Sequence, residues 1–297
     1  MKISAIVTVP PYANFLDEVA RHPLVSGFRL NTVMPLKESP REALARLSKF
    51  GQPLWVDLKG RQLRVATPAI PPYTEIKLSH KIKVHTPVDA FFSDGNERAR
   101  VAAVDGDRLI MEDGPRRMIG PGESVNIIHP SLEIEGTLTE SDKTYLSSMK
   151  ELGLKKVMLS YVESAADVQE VCDLLPGAEV VLKIETKRGL EFAKRYGAQH
   201  GRLMAARGDL YVEVLQPHKV ISALRVVIDG DKNAIVASRL FDSLAWQPVP
   251  VSADITDAGY LLEIGYRTFM LGDQICMKRD SVIEALNLLE AIAGEFE

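Results

Sequence analysis

Two short stretches of this 297-residue chain carry charges at the ends of apolar runs. One reads Glu179-Val-Val-Leu-Lys-Ile-Glu185 and the other Arg202-Leu-Met-Ala-Ala-Arg-Gly-Asp-Leu210. Residues two apart on a strand share a face, so Lys183 and Glu185 point one way while Leu182 and Ile184 point the other. Asp209 ends the neighbouring run. A cation and two carboxylates then converge at the carboxyl ends of adjacent strands, where α/β folds place their chemistry. Such a pair of carboxylates suits Mg²⁺, a hard cation held by one or two carboxylates plus substrate oxygens and water. Lysine and arginine neutralise charge on a phosphoryl group or an enolate oxygen. The turn Ala206-Arg-Gly-Asp209 opens a helix whose N–H groups can hold a substrate carboxylate, and Gly208 lets the backbone come close. The implied substrate is a small anion with both carboxylate and phosphate, or an enol acid.

The elements that must position these residues alternate strand and helix. Strands are predicted at 2–9, 25–30, 53–57, 155–160, 180–184, 202–206, 234–237 and 268–271. Helices are predicted at 14–21, 40–50, 139–152, 164–175, 187–196, 215–229, 252–264 and 281–294. Pro40 near a helix start and Gly51 past its end follow the usual asymmetry. Thr139-Glu-Ser-Asp142 supplies capping chemistry. Eight strands with intervening helices count out a (β/α)₈ TIM barrel of α/β class. The texture differs over 63–136, where short β-type runs are punctuated by Pro71-Pro72, Asp105-Gly-Asp107 and Gly120-Pro-Gly122. This is an inserted all-β module after strand three, so the barrel comprises 1–62 and 137–297. An insertion at a barrel's strand-to-helix loop sits over the active face, positioned as a lid. Charged or polar residues close five strand ends on that face: Arg29 and Asn31, Asp57, Lys183 and Glu185, Asp209, and Ser238.

Composition bounds the rest. Lys and Arg number 36 against 40 Asp and Glu, for a net charge of -4. That gives no electrostatic case for nucleic acid or an anionic membrane as partner. The two cysteines, Cys172 and Cys276, fit a reduced compartment and suggest neither a disulfide framework nor a zinc site. The first apolar run stops at Pro10-Pro11, and no run of about 18 apolar residues follows, so a cytoplasmic location and no membrane span are expected. Gly-rich phosphate loops of the GxGxxG or GxxxxGK[ST] type are absent. His80 and His85 read as surface residues of the module, and Met204 and Met270 as barrel filler.

At the singled-out positions the chain resembles the pyruvate kinase family. Leu182-Lys-Ile-Glu185 is similar to that family's A-K-I-E, and Ala206-Arg-Gly-Asp-Leu210 to its A-R-G-D-L. Ser160-Tyr-Val-Glu-Ser-Ala-Ala-Asp-Val168 resembles S-F-V-R-x-A-x-D-V. Arg29-Leu-Asn31 resembles R-L-N-F-S-H-G, and Asp57-Leu-Lys-Gly60 through Arg64 resembles D-T-K-G-P-E-I-R. Ser93-Asp-Gly95 in the module is similar to D-D-G. The resemblance implies that Glu185 and Asp209 hold Mg²⁺ (or Mn²⁺). It implies that Lys183 stabilises the transferring phosphoryl group and that Arg29 contacts the phosphate. The backbone at Gly208 and Asp209 would bind the carboxylate, Arg64 would face nucleotide phosphates, and Ser238 would act in protonating the enolate. The implied partners are phosphoenolpyruvate or pyruvate with ADP or ATP; self-association as a homo-oligomer stays open.

Departures from the family pattern matter. Val33 and Met34 replace a serine and a histidine, and Gln62 replaces a glutamate, leaving at most a residual K⁺ site at Asn31 and Asp57. Tyr211 replaces a glycine and could crowd the substrate. The strand-eight S-G-E-T becomes Gly272-Asp-Gln-Ile275. The chain ends at Glu297, so the family's C-terminal regulatory domain is not expected. Three readings stay open: a phosphotransferase between phosphoenolpyruvate and ADP, a Mg²⁺-dependent lyase or decarboxylase of pyruvate or oxaloacetate enolates without nucleotide, and a non-catalytic metabolite-binding relative.

Overall fold

The computed structural model describes residues 2–72, 75–93, 95–214 and 216–296. The chain opens with β1 (Ser4–Thr8), α1 (Leu16–Val19), β2 (Val25–Asn31), α2 (Pro40–Leu47) and β3 (Leu54–Leu58). The module follows with β4 (Glu75–Lys77), β5 (Ile82–Lys83), β6 (Val88–Phe92), β7 (Glu97–Asp105), β8 (Arg108–Asp113), β9 (Val125–Asn126) and β10 (Glu133–Ile134). Strand–helix alternation then resumes with α3 (Glu140–Leu152), β11 (Lys156–Leu159), α4 (Ala165–Leu174), β12 (Glu179–Ile184), α5 (Lys187–Tyr196), β13 (Arg202–Ala206) and α6 (Arg207–Glu213). It closes with α7 (Val220–Gly230), β14 (Ile235–Ala237), α8 (Ser252–Glu263), β15 (Thr268–Leu271), α9 (Asp273–Cys276) and α10 (Arg279–Gly294).

Among the described residues, eight strands close a barrel in the order β1-β15-β14-β13-β12-β11-β3-β2. The closing pairs are parallel, with Ser4 opposite Thr268 and Thr8 opposite Arg29. Helices cover the outside, so both faces of each strand are buried and the runs read as continuously apolar. The barrel interior is plugged by Ile6, Trp55, Met158, Val181, Met204, Ile235 and Met270. Met204 and Met270 are thus filler, as their sequence suggests, and the charged residues rise above this plug at the carboxyl end.

The module, inserted after β3, is a five-stranded antiparallel sheet, β4-β8-β7-β6-β9, with a two-stranded one, β10-β5, and its own apolar core around Leu63, Val65, Ile76, Phe92 and Val125. Asp142 fastens its two connections. This fully buried carboxylate accepts from the N–H of Thr139 at 2.9 Å, completing the α3 capping box. It also accepts from the N–H of Lys59 at 2.9 Å and of Gly60 at 3.2 Å, where the chain leaves the barrel. Gly60 has φ +52°, and a Cβ there would sit 2.4 Å from the Ser160 carbonyl oxygen, so a side chain is excluded. His85 is exposed, but His80 is only 6% exposed. The Nδ1 of His80 lies 2.9 Å from Ser79 Oγ, and burial lowers the imidazole pKa. Among the described residues no helix is long and apolar enough to cross a membrane.

Candidate active site

The carboxyl end of the barrel opens into a cavity of about 620 Å³ beneath the module, and Arg29, Asn31, Arg64, Lys183, Glu185, Gly208, Asp209 and Ser238 all line it. Asp57 lies below this lining, 3% exposed, and serves as its foundation. Its Oδ2 accepts from Arg29 Nε at 2.8 Å and Nη2 at 2.6 Å. Its Oδ1 takes Lys183 Nζ at 3.2 Å. Asp57 occupies the last turnings of β3 directly beside Asn31 of β2, so the strand register brings these groups together. Lys183 also donates to Ser160 Oγ at 2.7 Å and pairs with Glu185 Oε1 at 3.3 Å.

Burial works against every charge here, and the balance differs by residue. It opposes the charge of Lys183, but Asp57 and Glu185 outweigh it and hold the ammonium protonated above its usual range. For Asp57 burial is likewise overcome, by Lys183 and then Arg29, and its pKa falls. Glu185 goes the other way. Burial pushes it up to about 7; Lys183 opposes this, and the neighbouring Asp209 charge reinforces it. Lys183 therefore does not fully offset burial and the Asp209 charge at Glu185.

Asp209 lies in the first turn of α6 and is gripped by residues from three other segments. Gln62 Nε2 donates to its Oδ2 at 2.7 Å. Tyr161 Oη donates to its Oδ1 at 2.9 Å, and Asn126 Nδ2 approaches the same oxygen at 3.2 Å. The Tyr161 N–H donates to Glu185 Oε2 at 2.8 Å, so one residue, with φ +56°, holds both carboxylates. Burial, with the charges of Asp209 and Glu213, keeps the Tyr161 phenol protonated. Ser238, also at positive φ, puts its Oγ 3.6 Å from where a Gly208 Cβ would lie. The next-door Arg207 pins that loop through the Ser238 carbonyl at 2.7 Å and a two-pronged contact with Asp257 at 2.7 and 2.8 Å. Arg64 faces the cavity from the module side, with its Nη1 on the Gly122 carbonyl at 2.6 Å.

Several of these residues had no place in the reading of the sequence. Tyr161 lies in a segment picked out for its resemblance, but no spacing rule marks it. Asn126 is one polar residue in an apolar run. Asp273 is visible only as a departure at the end of β15; it contacts Arg29 Nη1 at 2.6 Å and Asn31 Nδ2 at 2.8 Å. Tyr211 does not crowd the cavity: it is 37% exposed, with its ring 4.4 Å from the Arg239 guanidinium. Asp94, part of the module's D-D-G resemblance, lies outside the described residues, as does Leu215 at the expected start of α7.

A closed parallel barrel with lysine, arginine and carboxylates at its carboxyl mouth, under an antiparallel module inserted after β3, defines a (β/α)₈ barrel protein with its polar cluster at the strand ends. The chain belongs to the pyruvate kinase barrel-domain family, whose model matches residues 54–275. It is 27% identical to pyruvate kinase of Methanocaldococcus jannaschii, over 98% of this chain and 69% of that one. It is 24% identical to pyruvate kinase of Borreliella burgdorferi, over 92% of this chain and 63% of that one. Pyruvate kinase of Thermoplasma acidophilum is 24% identical over 100% of this chain and 58% of its own length. The chain therefore spans between 58% and 69% of the length of these relatives.

Proposed function

We propose that the chain is a phosphotransferase moving phosphate between phosphoenolpyruvate and ADP. The observation that carries this reading is Lys183, a buried ammonium held between Asp57 and Glu185 in the cavity that Arg29 and Asp209 share. A charge so held meets a phosphoryl group or enolate oxygen with little reorganisation. The donor set also fits Mg²⁺ (or Mn²⁺): two buried carboxylates, Glu185 and Asp209, with the single ammonium of Lys183 3.3 Å from Glu185. When bound there, the cation would supply charge neutralisation for the phosphoryl and enolate oxygens. Arg29 would take the phosphate, the N–H groups at Gly208 and Asp209 the carboxylate, and Arg64 the nucleotide phosphates. Ser238 would bring a hydroxyl to the enolate carbon for proton delivery. The module, residues 63–136, would close over the mouth.

Monovalent-cation dependence is not part of this reading. Both Asp57 oxygens are already engaged by Arg29, Lys183 and Ser160, and the Val33 side chain offers no oxygen. A second reading, enolate chemistry without nucleotide, draws support from Asp273, which occupies the arginine that a phosphate would use. The deciding experiment is pyruvate formation from phosphoenolpyruvate and ADP with Mg²⁺, beside Glu185→Ala. Turnover lost in the variant supports the kinase. Absence of turnover, with Mg²⁺-dependent deuterium exchange at the pyruvate methyl group, would replace it with the enolate enzyme.

A further inference from the structure

A second cavity, of about 360 Å³, lies between the module and the barrel rim and shares no lining residue with the mouth. Its volume is that of a small-molecule site. The walls are apolar, from Leu63, Val125, Ile127, Ile128, Leu132 and Ile134. Its polar end is formed by Asn126, Tyr161 and Glu213. Asn126 is 1% exposed, and its Nδ2 serves Tyr161 Oη at 2.6 Å and both Asp209 Oδ1 and Glu213 Oε1 at 3.2 Å. Its Oδ1 has no hydrogen-bond partner among the described residues. A buried acceptor left unpaired costs about 1–3 kcal/mol and calls for a donor. The lining also carries cations: Arg61, whose buried Nε has no partner among the described residues, and Lys187 and Arg188 on the first turn of α5. The Lys187 side chain makes no hydrogen bond or ion pair among the described residues. Glu163 is the carboxylate at that rim, 3.8 Å from Arg188.

An orphan acceptor, an apolar middle and a cationic rim together describe one kind of molecule: a flat apolar body with a hydroxyl at one end and an anion at the other. We propose that this cavity is a second ligand site that takes a hydroxyaryl carboxylate, its hydroxyl on Asn126 and its carboxylate on Lys187 and Arg188. The site is independent of whether the mouth transfers phosphate. It is nevertheless wired to the mouth, because the amide that receives the ligand's hydroxyl is the one that donates to Asp209. Hydrogen bonds in such a chain polarise one another.

The test is fluorescence titration of the full chain with 6-hydroxy-2-naphthoate, 2-naphthoate and 2-naphthol. The expected result is saturable one-to-one binding of the first, with each truncated probe about tenfold weaker, as loss of one polar contact requires. Ile128→Trp fills the cavity and should abolish binding. Lys187→Glu, at an exposed position, should weaken both carboxylates about tenfold and leave 2-naphthol unchanged. Lys183→Ala, in the mouth, should leave all three unchanged. The proposal is overturned by no saturable binding, by equal affinity for the three probes, by binding that survives Lys187→Glu intact, or by binding lost in Lys183→Ala. Circular dichroism checks the fold of each variant; if Ile128→Trp does not fold, the surface variant decides.

Discussion

Asp273 holds Arg29. Its Oδ1 lies 2.6 Å from Arg29 Nη1, and its Oδ2 accepts from Asn31 at 2.8 Å. Asp57 grips the other side of the same guanidinium at 2.6 Å. Burial works against the Arg29 charge, but Asp273 and Asp57 together raise its pKa and keep it fully charged. A phosphate that takes two N–H groups of this guanidinium must therefore displace a carboxylate. The one that can leave is Asp273, whose side chain is 42% exposed against 3% for Asp57.

Asp273→Asn should make the arginine available. The expected outcome in steady-state kinetics is a fall of about tenfold in KM for phosphoenolpyruvate, equivalent to about 1.4 kcal/mol, with a smaller change in kcat. A rise in KM would mean that Asp273 orients Arg29 for the phosphate and does not compete with it.

Lys183→Met should lower kcat by about 10²–10³, the usual cost of losing one charge-stabilising donor. It also leaves Asp57 and Glu185 without their shared cation, so chemical denaturation should show a loss of about 3 kcal/mol. Unchanged turnover in a folded variant would remove Lys183 from the chemistry.

Exchanging K⁺ for Na⁺ should change kcat/KM by less than about twofold, because interactions that are absent cannot be lost. Paired replacement Val33→Ser with Gln62→Glu should introduce a K⁺ response. A strong K⁺ requirement in the native chain would show that Asp57 lets go of its partners during turnover.

Glu213 predicts the pH dependence of stability. Burial raises its pKa from 4.5 to about 8, with Asn126 opposing and Asp209 adding to the shift. The folded chain thus keeps a proton that the unfolded chain releases above pH 4.5. This group's contribution falls as pH rises, by about 1.4 kcal/mol per unit, and levels off above the folded pKa. Urea unfolding at pH 5.5, 6.5 and 7.5 should show a slope in the native chain that Glu213→Gln reduces, leaving below pH 7 the part that Glu185, pushed up to about 7, adds.

The barrel is legible in the sequence because parallel strands buried on both faces leave unbroken apolar runs, against which terminal charges stand out. Capping chemistry at Thr139 marked the start of α3, and Pro40 marked that of α2, whose Ser39 cap shows only in the structure. The helix expected over 14–21 shortens to Leu16–Val19, with no side-chain cap at Phe15 and Pro23 close behind it. Tyr211 turns outward because two residues along α6 from Asp209 is about 200° of rotation. The hidden part is the support around Asp209. Gln62, Asn126 and Tyr161 lie 147, 83 and 48 residues away in sequence. Only the closed barrel and the returning module bring them together, so no local spacing announces them.

Asn126 belongs to β9 of the module, yet its amide rests on a carboxylate of the barrel. The module is therefore not an interchangeable cap. A chimera that exchanged it for a relative's counterpart would splice cleanly at its two connections and still lose a donor to Asp209, unless the graft carried an amide at that one position. Grafting the module as a unit and then restoring the single asparagine would separate what the module does by covering the mouth from what it does by reaching into it.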